Sequence, residues 1–264
     1  MNLPKNRHLS LRTLGSVLTI SGWLFLAVGC QTPAFDDPAR TGPFFQPTNH
    51  VGDPALEPNM RRVILLPVYG GTLVDGETAA SFDGIFATEL QKQNRFEVVV
   101  LTRAESRRRF GADEFSSASA LPSGFLTKLK REFAADAVLW VDLTAFRAYR
   151  PLILGVRAKL ATVEQTRLVW TFDNVFAADD PAVANSARRH FVDQTHTAVP
   201  ADLTRSALQS PRRFAAYVAA ATFATLPPVS PLVAPKPANG QEARVSSPPL
   251  SPSTAKPEAA RAKP

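Results

Sequence analysis

The stretch Ala137–Phe176, AVLWVDLTAFRAYRPLILGVRAKLATVEQTRLVWTFDNVF, decides the architecture of this chain. It divides into three runs rich in β-branched, aliphatic and aromatic residues: Ala137 to Phe146, Leu152 to Val163 and Arg167 to Phe176. Such composition suits strands. The breaks around Arg150-Pro151 and Glu164-Gln165-Thr166 are too short for a crossover, so the three runs must pair antiparallel as a meander. The middle run alternates, with Val156, Ala158, Leu160 and Thr162 on one face and Arg157, Lys159 and Ala161 on the other. Period-2 alternation of this kind puts one sheet face against helices and leaves the other partly wet. Trp140 and Trp170 fall on these strands and read as sheet-packing residues.

Upstream, the pattern changes to alternating strands and helices. Arg61-Arg62-Val63-Ile64-Leu65-Leu66-Pro67-Val68 is a continuous apolar run, the mark of a strand buried on both faces. Pro67 belongs at its end, because proline cannot donate to a ladder, and Tyr69-Gly70-Gly71 turns the chain. Phe82, Ile85, Phe86 and Leu90 recur at helical spacing between Thr78 and Gln93. Phe96 to Leu101 is a second β-branched run. Thr102-Arg103-Ala104-Glu105 has the form of a capping box, opening a helix that Gly111 ends. Ser123 is placed to cap a further helix with Phe125, Leu126, Leu129 and Phe133 on one side. Downstream of the meander, Pro181 to Gln194 and Pro211 to Thr225 are helical, with Pro211 pre-set for the first turn. The fold class is therefore α/β: a single domain over 60–226 whose mixed sheet, βα units followed by an antiparallel three-strand meander, is covered by helices.

The ends have a different character. Lys5, Arg7 and Arg12 precede an uncharged apolar run from Leu14 to Val28, too short to span a bilayer as a helix and typical of a secretory signal over 1–29. The chain has one cysteine, Cys30, so no intramolecular disulfide can form. Residues 30–59 read as a flexible linker rich in Pro, Gly and Asp. Pro227 to Pro264 holds ten prolines and no aromatic residue. Such a tail buries too little apolar surface to offset its ordering entropy, so disorder is expected over 227–264. The net charge is +7; loss of Lys5, Arg7 and Arg12 with the signal takes three from it and leaves +4. That mild excess suits contact with anionic lipid or cell-wall polymer. The basic residues are not interleaved with aromatics as in a nucleic-acid platform, and no nucleic-acid partner is expected.

Two resemblances follow from these residues. Leu26-Ala27-Val28-Gly29-Cys30 resembles the lipobox of bacterial lipoprotein precursors, which implies cleavage before Cys30 and acylation of its thiol; Gln31 stands where an inner-membrane retention signal would have Asp. By that likeness the mature chain is anchored in the outer membrane by acyl groups such as palmitate and faces the periplasm. The segments Leu65-Leu66-Pro67-Val68, Phe96-Glu97-Val98-Val99-Val100, Phe133 to Val141 and Leu168-Val169-Trp170 resemble the periplasmic α/β domain shared by the curli-secretion lipoprotein CsgG, penicillin-binding-protein activator lipoproteins and the N-terminal domain of TolB. Asp142 stands near where that family often has Gly, and Gln165-Thr166 replaces its usual Thr-Gly turn. These motifs are structural, so what they imply is a fold.

No catalytic constellation emerges. Gly70-Gly71 and Gly76 follow a strand but lack the Gly-Lys-Ser/Thr of a phosphate loop. No serine occupies a nucleophile elbow. His190 and His196, six apart beside Asp193, do not share a helix face, so no metal and no cofactor is expected. Asp136 and Asp142 bracket a strand about 20 Å apart, too far for paired acid–base work; Asp136 is expected to cap or end the helix before it. Two basic clusters, Arg107-Arg108-Arg109 and Arg188-Arg189, are the candidate partner-binding patches. The reading is a non-enzymatic envelope protein, held at the membrane through Cys30, that binds a protein or peptidoglycan partner in an assembly or activator role. A subunit of a CsgG-like secretion channel is the alternative, with His190 to Gln209 the sole candidate barrel insert, and an envelope enzyme the third.

Overall fold

Tyr69 and Asp142 meet in a parallel bridge that links the first βα unit to the meander, and the sheet is built outward from it. The structure, a computed structural model, describes residues 41–195 and 205–230. Cys30, the signal, His196 and the Pro-rich tail from residue 231 onward lie outside the described residues, as does much of His190 to Gln209; residues 227–230, expected to be disordered, are instead held beside Leu56, whose N–H donates to the Pro228 carbonyl at 2.7 Å. Six strands form one sheet: β1 (His50–Gly52), β2 (Arg62–Leu65), β3 (Glu97–Val100), β4 (Ala137–Arg147), β5 (Ile153–Thr162) and β6 (Leu168–Ala177). Their spatial order is β1-β6-β5-β4-β2-β3. β2 is parallel to both β3 and β4. β4, β5 and β6 form the expected antiparallel meander.

Among the described residues five α-helices cover the sheet: α1 (Gly76–Gln91), α2 (Arg103–Phe110), α3 (Phe125–Phe133), α4 (Pro181–Thr195) and α5 (Pro211–Phe223). A short 3₁₀ turn, Arg205–Leu208, precedes α5. On one face Phe82 and Phe86 of α1, Val183 of α4 and Phe214, Val218 and Phe223 of α5 pack on Val63, Leu65, Val156, Leu160, Phe172 and Phe176. Each such phenylalanine, once buried, contributes about 1.5–3 kcal/mol. On the other face Phe125 and Leu129 of α3 cover Ile64, Leu66, Val138 and Trp140. Beyond β4 that second layer reaches only the end of β5, at Ala161 and Val163, so Arg157, Lys159, Thr171 and Asp173 remain part-exposed and Val175 exposed, as the alternation in β5 requires. Among the described residues no helix is long and apolar enough to cross a membrane.

Several local readings are confirmed by the backbone. Thr102 Oγ1 accepts from the Glu105 N–H at 3.2 Å, and Gly111 closes α2 with φ 85°. Others are corrected. Residues 50–52, read as linker, form β1, which pairs with β6; Leu56, four residues later, is buried. α1 begins at Gly76, before Thr78, because Asp75 accepts from the Thr78 N–H at 2.7 Å. Ser123 does not cap α3; Gly124 precedes it in the left-handed conformation with no side-chain cap. Asp136 does not cap a helix either. Its Oδ2 accepts from the N–H groups of Arg61 and Arg62, both at 2.9 Å, tying the start of β4 to the start of β2.

Candidate functional site: the crevice at the end of β2

From β2 the chain crosses to β3 through α1 on one face, and from β3 to β4 through α2 and α3 on the other. The connections therefore part company above the gap between β2 and β4, the place where open α/β sheets leave a crevice beyond their strand ends. Here that crevice has a volume of about 370 Å³ and is lined by Tyr69, Gly70, Gly71, Thr72, Asp142, Thr144 and Arg157, among others. Another depression, beside Asp136 at the opposite strand ends, offers only about 60 Å³.

One wall is the β2–α1 loop. Pro67 has no N–H, and the Val68 N–H beyond it donates to Asp83 Oδ1 of α1 at 2.9 Å. Gly71 has φ 56°, a left-handed conformation that favours glycine. The successive N–H groups of Gly70 and Gly71 donate to Glu114 Oε1 at 3.2 and 3.1 Å. This pair of amides forms a small anion-binding nest, and the chain's own carboxylate fills it. Glu114 Oε2 in turn accepts from Arg103 Nη1 at 2.6 Å, and Arg103 Nη2 donates to the Val68 carbonyl at 2.6 Å. The glycine-rich loop is thus shaped by an internal carboxylate.

The floor is Asp142, which is buried. Its Oδ2 accepts from the Ser116 and Ser117 hydroxyls at 3.1 and 2.9 Å and from the Ser117 N–H at 2.9 Å. Desolvation pushes its pKa above the ordinary aspartate value, against the lowering pull of these hydrogen bonds. Asp142 thereby clasps the Ser116–Ser117 turn onto the sheet where a glycine would leave that turn unheld. The third wall is the β-bulge between Leu143 and Ala145. A Cβ on Gly155 would lie 2.5 Å from Thr144 Oγ1 and 2.8 Å from the Ala145 nitrogen. Arg157 closes the rim, paired at 2.8 Å with Asp173 on β6.

The residues singled out from sequence lie elsewhere. Arg107 pairs with Asp113, Arg108 reaches Glu105 at 3.9 Å, and Arg109 pairs with Glu132 while lying 4.9 Å from the Phe133 ring centre. Arg188 Nη1 donates to Asn185 Oδ1 at 3.2 Å. Arg189 lies 3.9 Å from Asp193 and 4.7 Å from the Phe44 ring centre. The two clusters sit on helices covering opposite faces, and each arginine has an intramolecular contact. Among the described residues no group of His, Cys, Asp and Glu is disposed to hold a metal. Sequence reading missed Tyr69, Asp142 and Arg157 as one site, because only the β2–β4 pairing joins them; the Gly70-Gly71 pair was the one local signal.

No family model matches the chain, and no curated protein is similar to it. Several solved structures are similar to it over part of its length. A lipoprotein from Neisseria meningitidis is 15% identical, aligning 53% of this chain with 99% of its own at TM-score 0.36. The LpoB C-terminal domain from Salmonella enterica is 13% identical over 44% of this chain and 82% of that one, TM-score 0.29. TolB from Acinetobacter baumannii is 13% identical over 58% of this chain and 31% of that one, TM-score 0.26.

Proposed function

We propose that this chain is a lipid-anchored envelope protein, tethered through Cys30 with its 60–226 domain in the periplasm, that acts by binding a protein or cell-wall partner rather than by catalysis. The crevice carries this reading. Its ionisable side chains are spent on holding the walls: Glu114 on the Gly70–Gly71 amides, Asp142 on the Ser116–Ser117 turn, Arg157 on Asp173. What faces the opening is a wide polar surface of Tyr69, Thr72 and backbone. Such a surface suits recognition of polar groups on a partner.

Crosslinked envelopes and purified sacculi provide the test. The wild-type protein should recover a reproducible protein partner or pellet with sacculi, and Tyr69→Ala with Thr72→Arg, which alters the groups facing the opening and leaves the wall contacts in place, should abolish whichever is seen while leaving the thermal midpoint within a few degrees. Recovery unaltered by the double variant would remove the crevice from the reading; no partner and no sacculus binding would end it. Globomycin treatment with mass analysis of the mature N-terminus checks the tether: a chain that is neither cleaved before Cys30 nor acylated has no anchor of this kind.

A further inference from the structure

We propose that the pole of the domain made by the β4–β5 turn and the N-terminal end of α5 lies against the bilayer, with Tyr149 at headgroup level and Arg147, Arg150 and Arg212 facing lipid phosphates. This rests on acylation of Cys30 and adds to it an orientation.

The path of the chain is the first argument. Ten residues, 31–40, separate Cys30 from Thr41, a reach of at most roughly 35 Å. The Pro43 carbonyl accepts from Asn185 at 3.3 Å, and the Phe45 N–H donates to Ser186 Oγ at 2.8 Å. The Phe45 ring lies 5.2 Å from that of Phe176. Phe176 pairs with Leu154, and Leu154 with Phe146, one register step from the β4–β5 turn. The N-terminal chain therefore joins the domain beside that turn. Ser230 is at the other pole, donating to the Leu56 carbonyl at 3.1 Å. There Gly52 pairs with Trp170, six residues or about 20 Å along β6 from Phe176.

Surface chemistry is the second argument. Tyr149 is 74% exposed in the turn, where nothing in the fold requires an aromatic ring. A tyrosine has an apolar body and a polar tip, and such rings collect at membrane–water interfaces. Beside it a groove lined by Arg150, Pro151, Ala178, Leu208 and Gln209 opens a volume of about 350 Å³. Arg150 and Arg212 are exposed, and Arg147 is half-buried with its Nε on the Pro151 carbonyl at 2.6 Å. Among the described residues the acids at this pole are Asp179, exposed, and Asp180, whose Oδ1 is engaged by the Ala182 N–H at 2.7 Å. Basic side chains around a single exposed ring, at the end nearest the tether, match the anionic surface of a bilayer.

Because Cys30 is the sole cysteine, an engineered one in the acylated protein takes a fluorophore alone. Ala148→Cys marks the proposed membrane pole and Gln165→Cys, in the exposed β5–β6 turn, the opposite one. Each is reconstituted into phosphatidylethanolamine–phosphatidylglycerol vesicles carrying a headgroup-linked nitroxide quencher. Quenching at 148 should exceed that at 165 at least threefold, and adding Tyr149→Ala with Arg150→Glu should bring 148 down to the level of 165. Equal quenching at the two positions in protein that floats with the vesicles overturns the orientation and leaves the anchor standing. Protein that does not float overturns both.

Discussion

Arg103 of α2 holds Asp83 of α1 with two nitrogens, Nε 2.8 Å from Oδ2 and Nη2 3.1 Å from Oδ1. The two helices cover opposite faces of the sheet, so this ion pair crosses its edge just beyond β2. The same guanidinium reaches Glu114 Oε2 and the Val68 carbonyl. Its side chain is 17% exposed, against 23% for Asp83 and 20% for Glu114. Removing Arg103 would leave two largely shielded carboxylates facing each other without a cation.

Arg103→Met should therefore lower unfolding stability by about 2–4 kcal/mol, near the range for breaking a buried pair. Arg103→Lys should recover less than half of that, because a single ammonium cannot match a forked contact. Urea denaturation of the three proteins decides it; a loss under 0.5 kcal/mol (roughly the level of an exposed pair) would show that the network does not hold the loop.

The strand framework was legible because it is written in local periodicity. The β2 run, the three meander strands and the Thr102–Glu105 box all follow from spacing within a dozen residues. β1 was not legible, since its three residues are exposed and join the sheet by backbone pairing with β6. Asp136 was misread because its partners, the Arg61 and Arg62 amides, lie 75 and 74 residues away. For the same reason Asp142 could not be joined to Ser116 and Ser117. The basic cluster on α2 looked free, yet Glu105 sits three residues before Arg108, a spacing that signals a helical ion pair. The crevice itself belongs to topology, and no single segment announces it.

Asp142 should make stability pH-dependent in a defined sense. Its folded pKa lies above the ordinary value because it is desolvated, so its contribution is most favourable below that ordinary value and is lost as pH rises through the folded pKa. Asp142→Asn keeps acceptors for the Ser117 N–H and the hydroxyls but cannot ionise. The variant should gain on wild type as pH is raised from 4 to 7, whereas Asp142→Ala should lose about 1–3 kcal/mol from unsatisfied donors. Chemical denaturation across that range gives the difference directly. A constant gap between wild type and Asp142→Asn would mean the carboxyl titrates alike in both states.

The bulge opposite Gly155 admits no side chain. Gly155→Ala would set a Cβ 2.5 Å from Thr144 Oγ1 and 2.8 Å from the Ala145 backbone nitrogen, and should cost about 1–3 kcal/mol as an overpacked site. Thr144 Oγ1 is buried without a hydrogen-bond partner, so Thr144→Val should be neutral or stabilising, as when an unsatisfied polar atom is replaced isosterically. Adding Thr144→Ala to Gly155→Ala should relieve part of the strain and leave the part due to the backbone nitrogen. Thermal midpoints of the double-mutant cycle measure that split, and full additivity would mean the two positions do not touch.

His190 gives the opposite pH sign. Its Nε2 lies 2.8 Å from Gln194 Nε2, which also lies 3.3 Å from Glu89 Oε1. Glu89 can only accept, because it is also the partner of Lys92 Nζ at 2.6 Å. The Gln194 amide must then turn its NH₂ toward the carboxylate, and His190 Nε2 must accept from the same group. The ring is therefore neutral with its proton on Nδ1. Burial, more than the opposing charge of Glu89, holds its pKa below the usual imidazole value. A depressed histidine leaves stability intact above its unfolded pKa of 6.5 and removes it as the pH falls from there through the folded value. The charged groups facing it are Glu89 of α1, Lys92 just past the end of that helix and Asp193 of its own helix, and the Tyr217 ring of α5 lies beside it at 6.1 Å. The urea midpoint should therefore fall further between pH 7.5 and 5.5 for wild type than for His190→Gln, and hydrogen exchange should quicken first in the last turn of α4. Parallel pH profiles for the two proteins would contradict this account, since only a protonatable ring in that position forces Gln194 to choose between its two partners.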